Sequence, residues 1–291
     1  MVTPQQWVQG ARPRTLAAAV SPVAAGTGLA AYSDSFDALL AALALVVALA
    51  FQVGVNYAND YSDGIRGTDE ERVGPMRLTA SGVATPAQVK YAAFVSFGVG
   101  AVAGLAIVVL TDQWWLLLVG AACIAAAWFY TGGRTPYGYR GLGEVSVFVF
   151  FGLVATVGTA YIQVEELSWL SVLVASGVGL LACALLVVNN LRDIPTDAVS
   201  GKRTLAVRLG DASTRRLYVG LLAASLVVVI VAAIGWTPWA LLALVAFIPA
   251  APPIGAVVGG ASGPALIPVL QSTALIQLGY GLSFGLGLSL A

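Results

Sequence analysis

Histidine is absent from all 291 residues, and only 10% of them are charged. The first absence removes a histidine base, histidine haem ligation and a catalytic triad, leaving proton chemistry to carboxylates, tyrosine, lysine or water. The second sets the chain apart from soluble domains, in which about a quarter of residues are charged. Cysteine is scarce: Cys123 and Cys183 lie in separate apolar runs with no CxxC pair, which excludes a disulfide framework and a cysteine metal site. The alternation of a membrane β-barrel is missing as well. Apolar residues fill the chain instead, 59% of the total. They come in runs of about twenty, the length at which a helix crosses roughly 30 Å of hydrocarbon. The fold class that follows is an all-α integral membrane bundle with the lipid bilayer as its partner.

Nine spans are expected, over 15–31, 38–58, 87–110, 114–131, 143–163, 167–189, 215–235, 239–258 and 265–289. Arg12 and Arg14 precede the first run in the manner of a signal peptide. No convincing cleavage site follows and further spans do, so this run reads as the first helix of the mature chain. With the N-terminus inside, the inner segments are 1–14, 59–86, 132–142, 190–214 and 259–264. With the helix ends they border, these hold all 14 Lys and Arg, whereas the opposite loops carry only Asp34, Asp37, Asp112, Glu165 and Glu166. The distribution of the basic residues fixes topology; the formal net charge of zero argues neither for nor against nucleic acid, and no nucleic-acid partner is expected. A polar, Asn/Asp-rich helix end follows the second span and another follows the sixth. A single domain over 1–291 is expected, with repeat-like halves of about 1–140 and 141–260 and an extra last helix at 265–289.

Charge next to these spans is expensive: an acid at mid-membrane depth costs roughly 2.5–3.5 kcal/mol on insertion scales. The stretch NYANDYSDGIRGTD, 56–69, puts Asn56, Asn59, Asp60 and Asp63 within an arc of about 100° on a continued helix. Two carboxylates and two amides on one face are hard oxygen donors of the kind Mg2+ prefers. In NNLRDIPTDAVSGKRTLAVRLG, 189–210, Asn189, Asp193 and Asp197 fall at i, i+4 and i+8, with Asn190 beside them and Pro195 expected to bend or restart the helix. Two such clusters facing each other would hold metal ions that bridge a diphosphate. The inner loops add Arg66, Arg72, Arg77, Arg134, Arg140, Arg192, Lys202 and Arg203 as phosphate partners. The middle loop, YTGGRTPYGYRGLGE, brings Tyr130, Tyr137 and Tyr139 as pocket or cation-shielding residues, and ends on Glu144 at a span entrance.

These stretches, together with GPMRLTASG at 74–82, resemble the UbiA superfamily of intramembrane aromatic prenyltransferases over essentially the whole chain, and within it the 1,4-dihydroxy-2-naphthoate polyprenyltransferase branch of menaquinone synthesis. The resemblance implies a nine-helix bundle in the plasma membrane with its Asp-rich motifs on the cytoplasmic side. It implies Mg2+ and diphosphate binding at Asn56, Asn59, Asp60, Asp63, Asp193 and Asp197, with Lys202 and the loop arginines as diphosphate contacts. The substrates it implies are a polyprenyl diphosphate and an aromatic acceptor, 1,4-dihydroxy-2-naphthoate. One departure from the superfamily pattern is Gly67 where a last Asp would fall, with Asp69 two residues later. Glu144 is a candidate for orienting or deprotonating the acceptor's hydroxyl. Three other readings stand beside this one: a related enzyme with a hydroxybenzoate or porphyrin acceptor; a CDP-alcohol phosphotransferase, suggested by DYSDG at 60–64 although the rest of that motif is missing from the loop; and a transporter for a metal ion or anionic metabolite.

Overall fold

The computed structural model describes residues 2–67 and 76–291, and every regular element among them is helical. A capping box starts α1 (Pro4–Ala11): Thr3 Oγ1 accepts the Gln6 N–H while the Gln6 side chain accepts the Thr3 N–H. The chain then turns at Arg12, a non-glycine residue with φ 54°. After one 3₁₀ turn at Pro13–Thr15 it enters α2 (Ala17–Tyr32), bent 51° from the preceding segment. Asp37 caps α3 (Ala38–Gly64) by accepting the Leu40 N–H at 2.9 Å. Thr85 and Gln88 form a second capping box at the start of α4 (Pro86–Thr111), which is followed by α5 (Leu116–Thr131). Next, α6 (Gly143–Val147) passes through a π-helical stretch, Phe148–Val154, into α7 (Ala155–Val164). The longest helix is α8 (Trp169–Val199), followed by the short α9 (Leu205–Leu209) and by α10 (Asp211–Gly235). The 3₁₀ segment Pro238–Ala250 leads into α11 (Ala251–Val258), and Gly263–Leu266 leads into α12 (Ile267–Ser289).

Every expected apolar run is helical. Among the described residues seven helices are long and apolar enough to cross a membrane, eight if the bent N-terminal pair is one span, and α5 is apolar but only 16 residues long. Two helices outrun their apolar segments: α3 continues to Gly64, and α8 continues through Pro195 to Val199. Pro195 was expected to bend or restart α8. The helix does not restart there: Pro195 is carried inside it, its missing N–H removing one backbone bond. Both polar motifs thus sit on the last turns of long helices.

The core centres on α8, where Val174, Val178, Leu181 and Val188 are fully enclosed, against Leu222 and Val229 of α10 and Tyr280 and Phe284 of α12. Apolar side chains gain little from each other where lipid is equally apolar, so helices associate by close backbone approach through small residues. The α2–α12 contact is of that kind: a Cβ on Gly28 would lie 2.3 Å from the Gly285 Cα, and one on Gly285 would lie 2.4 Å from the Ala24 carbonyl oxygen. Gly285→Val has only backbone to displace, so it is expected to cost upward of about 1–3 kcal/mol, read as a lower melting temperature and loss of the monodisperse peak in detergent.

Candidate active site

The polar ends of α3 and α8 open into one cavity of about 800 Å³. Its apolar part runs between Ala44, Val47 and Ala48 of α3, Gly104 of α4 and Leu117 of α5. Its polar end is lined by Asn56, Asn59 and Asp63, and by Asn189, Asn190, Asp193 and Asp197 of α8. An apolar region ending among amides, carboxylates and the cations Arg77, Arg192 and Lys202 matches a molecule with a long hydrocarbon body and an anionic head.

Helical geometry explains which side chains face it. At about 100° per residue, taking residue 52 as zero, Asn56 lies near 40°, Asn59 near −20°, Asp63 near 20° and Asp60 near 80°. The first three line the cavity. Asp60 does not: it is fully enclosed, and its two carboxylate oxygens accept the backbone N–H groups of Leu78 at 2.8 Å and Thr79 at 2.9 Å. Asn56 Nδ2 donates to the Ala11 carbonyl and to Thr15 Oγ1, both at 2.8 Å, tying α3 to the N-terminal bend. Asn59 Oδ1 accepts from Thr131 Oγ1 at 2.8 Å. Asp63 accepts from the Tyr139 hydroxyl, with Lys202 Nζ at 3.6 Å and Arg77 Nη2 at 3.8 Å.

On α8, Asp193 is held by the neighbouring Arg192 through two charge-assisted bonds, Nε at 2.6 Å and Nη2 at 2.7 Å, and Arg192 also reaches Asn189 Oδ1 at 2.9 Å. The backbone carbonyl of Asp197 accepts the Lys202 N–H at 2.9 Å, which curls the loop after α8 back over the site. Among the described residues no three carboxylates gather at one point; each helix contributes its own pair.

The basic residues divide. Arg77, Arg192 and Lys202 line the cavity, and Lys202 also lies over the Tyr139 ring at 4.8 Å. Arg66 does not line it, because its guanidinium is spent on the carbonyls of Ser62, Thr131 and Gly133. Arg134, Arg140 and Arg203 are exposed and also stand apart from it. Arg203 contributes backbone, its N–H donating to the Tyr139 carbonyl at 2.9 Å. Arg72 and Asp69 lie outside the described residues.

Tyr130, Tyr137 and Tyr139 all line the cavity. The Tyr137 hydroxyl donates to the Ala126 carbonyl at 2.8 Å and meets Ser146 Oγ at 2.9 Å; burial pushes its phenol up, so it stays a neutral donor. Glu144 is buried one layer behind the lining, and its Oε1 accepts from Asn190 Nδ2 at 3.0 Å. Motif reading passed over several polar residues that line the cavity, among them Arg12 and Arg14, read as topology alone, Thr15, and Gln52 of α3. The signal for Gln52 was there to find, a lone amide in an apolar run at four residues before Asn56 and seven before Asn59, on the face that carries Asp63.

A model of the UbiA prenyltransferase family matches residues 19–274. The chain is 55% identical over 278 residues to a 1,4-dihydroxy-2-naphthoate octaprenyltransferase of Mycobacterium tuberculosis, covering 96% of this chain and 94% of that one. It is 43% identical over 229 residues to an enzyme of the same description from Escherichia coli, covering 77% and 74% of the two chains. Among solved structures, a UbiA homolog from Aeropyrum pernix superposes with a TM-score of 0.70 at 16% identity over 93% of this chain and 96% of that one. A UbiA homolog from Archaeoglobus fulgidus bound to GPP and Mg2+ superposes with a TM-score of 0.64 at 14% identity over 95% and 98%. At such identities the structural likeness is one of fold; the family follows from the sequence matches, and on them the chain belongs to the UbiA prenyltransferase family.

Proposed function

We propose that this membrane-bound prenyltransferase moves a polyprenyl group from its diphosphate to 1,4-dihydroxy-2-naphthoate, with loss of the carboxylate as carbon dioxide, giving demethylmenaquinone at its quinol level. The observation that carries this reading is the single cavity that joins an apolar bore to the paired carboxylate motifs of α3 and α8. The acceptor follows the names of the relatives that cover most of the chain. The nine-span layout, with the N-terminus and the site-bearing loops on the cytoplasmic face of the plasma membrane, is supported by the distribution of the basic residues. Two repeat-like halves are supported by the matching polar ends of α3 and α8.

The donors at the polar end fit a hard divalent cation: Asn59, Asp63, Asp193 and Asp197 offer only oxygen ligands from the amide and carboxylate groups that line one cavity. Bound there, Mg2+ would neutralise the diphosphate and make it a better leaving group. Arg77, Arg192 and Lys202 hold the remaining phosphate oxygens. Asn56 keeps the α3 face fixed against the N-terminal bend, Asn189 positions Arg192, and Tyr130 and Tyr139 turn ring faces toward the allylic carbon as positive charge develops there. The apolar bore takes the prenyl chain and excludes water that would quench that charge. A ring carbon bonds to the prenyl C1 as the C1–O bond breaks, its electron pair leaving on the diphosphate. Departure of carbon dioxide returns the carboxylate's bonding electrons to the ring. Glu144 reaches the cavity only through Asn190, which makes it a positioning group. Glu144→Gln keeps an acceptor for Asn190 Nδ2, so turnover is expected to stay within about tenfold of wild type, whereas a proton-transfer role would cost about 10²–10⁴.

An acceptor panel tests the assignment. Purified protein with Mg2+ and a polyprenyl diphosphate is expected to prenylate dihydroxynaphthoate and release carbon dioxide; transfer to hydroxybenzoate alone would move the acceptor assignment within the family.

A further inference from the structure

Residue pattern places Arg140 and Arg203 among the phosphate partners, but the fold puts neither in the cavity, and both are exposed. Their chain neighbours do line it: Tyr139 precedes Arg140, and Lys202 and Thr204 flank Arg203. The two arginines therefore stand on the rim of the polar end, one residue outside its wall. A third joins them from α9. Exposed Arg208 donates from Nε to the Arg203 carbonyl at 3.2 Å, and the same Nε lies 3.1 Å from where a Cβ on Gly141 would sit, next in sequence to Arg140. Backbone closes the rim, the Arg203 N–H donating to the Tyr139 carbonyl at 2.9 Å. Two loops and a short helix thus bring three arginines to one edge of the site.

These arginines differ from the inner-side cations that acids neutralise. Lys202 and Arg77 lie 3.6 Å and 3.8 Å from Asp63, Arg192 holds Asp193, and Arg215 holds Asp211. Among the described residues no ion pair involves Arg140, Arg203 or Arg208. Like charges gathered without counter-charge set up a positive field in the water outside, which raises the local concentration of anions. From Arg203 the chain steps directly to Lys202 on the cavity wall, so an anion drawn to the rim arrives beside the site. Two anions must reach this end, and they travel differently. A polyprenyl diphosphate is kept in lipid by its apolar chain. A hydroxynaphthoate has no such chain and crosses water with its carboxylate charged. Exposed rim charges act on encounter, changing association rates and their salt dependence, whereas buried pairs change dissociation. Resting on the prenyl-transfer reading, we propose that Arg140, Arg203 and Arg208 form a capture rim that draws the anionic aromatic acceptor from the aqueous phase to the site without contacting it once bound.

The test is the stopped-flow association rate of 1-hydroxy-2-naphthoate with the whole chain in phosphatidylcholine nanodiscs, with no prenyl donor present. The wild-type rate is expected to fall as NaCl rises, because the field is screened over about 10 Å at 0.1 M salt. Combining Arg140→Gln, Arg203→Gln and Arg208→Gln is expected to lower the rate about tenfold at low salt, the lower end of what steering supplies, and to leave it nearly independent of salt. Dissociation, kcat and the KM for prenyl diphosphate are expected to stay within twofold, as is the association of neutral 1-naphthol. Arg140→Lys, Arg203→Lys and Arg208→Lys together keep the charge while changing the hydrogen bonds, so they are expected to restore both rate and salt dependence; a merely structural role would leave them impaired. If the triple glutamine chain folds poorly, Arg140→Gln with Arg203→Gln replaces it, since the Arg208 bond to the Arg203 backbone then remains. Salt dependence equal to wild type in the glutamine variant, or a loss confined to dissociation, would overturn the rim. A loss seen only when phosphatidylglycerol is added would also overturn it, assigning the arginines to lipid headgroups. Arginine-dependent capture by a protein that transfers no prenyl group keeps the rim and removes the reaction; transfer with capture indifferent to the arginines keeps the reaction and removes the rim.

Discussion

Asp63→Ala is expected to lower turnover by at least about a hundredfold and to raise the Mg2+ concentration needed for half-maximal rate. Asp63 is the point where the elements of the site meet: its carboxylate on α3 receives the Tyr139 hydroxyl from the middle loop, lies 3.6 Å from Lys202 of the loop after α8, and lies 3.8 Å from Arg77 of the first loop. Removing it takes away a hard donor on the cavity wall and leaves buried cations without their counter-charge. The first effect weakens stabilisation of the departing diphosphate, where loss of one preorganised electrostatic contact typically costs 10²–10³ in rate. The second disorders the basic residues that would hold the phosphates. Asp63→Asn separates the two contributions, since the amide preserves shape and can still accept from Tyr139. Turnover near wild type in Asp63→Asn, with an unchanged Mg2+ requirement, would mean that the carboxylate charge is not used.

Asp60→Asn is expected to behave differently although it lies three residues away in the same motif. Its two oxygens hold the Leu78 and Thr79 N–H groups inside the protein. Hydrogen bonds to a charged group contribute about 1.5–3 kcal/mol each. The asparagine keeps one acceptor and places an amide donor against a backbone donor, so the turn that follows Arg77 loosens. Arg77 is buried at the cavity edge, next in sequence to Leu78. The KM for prenyl diphosphate is therefore expected to rise about tenfold, with the Mg2+ concentration dependence left as in wild type and a lower melting temperature. A shift in the Mg2+ dependence as large as that of Asp63→Asn would instead make Asp60 a metal ligand.

The difference between these neighbours marks how far residue pattern reaches. An arc of about 100° gathers Asn56, Asn59, Asp60 and Asp63 onto one side of a helix, and that much was legible. Which edge of the arc meets the cavity and which meets a loop depends on where residues 76–82 dock, a tertiary fact absent from local spacing. The apolar runs, their lengths and the continuation of α3 into its polar motif were likewise readable, because a span must be about twenty residues long and acids at its end need partners. At Pro195 the helix does not restart, since α8 tolerates the lost backbone bond and runs on to Val199. The arginines show the limit most plainly: Arg66, Arg77 and Arg134 are equivalent as inner-loop charges, yet Arg77 alone of the three lines the cavity, Arg66 binds carbonyls and Arg134 is exposed. Arg12 was hidden for the opposite reason, because its place before the first span is fully accounted for by topology. It lines the cavity just before the 51° bend between Thr15 and Ala17.

The most direct test of the central claim is the stoichiometry of the reaction in detergent, where no membrane gradient exists. Purified protein supplied with Mg2+, a polyprenyl diphosphate and 1,4-dihydroxy-2-naphthoate is expected to release one diphosphate and one carbon dioxide for each prenylated ring, and to stop on chelation of the metal. Binding of these substrates with no diphosphate released under any gradient-free condition would contradict it, and would place the paired carboxylates in a transport path instead of a catalytic site.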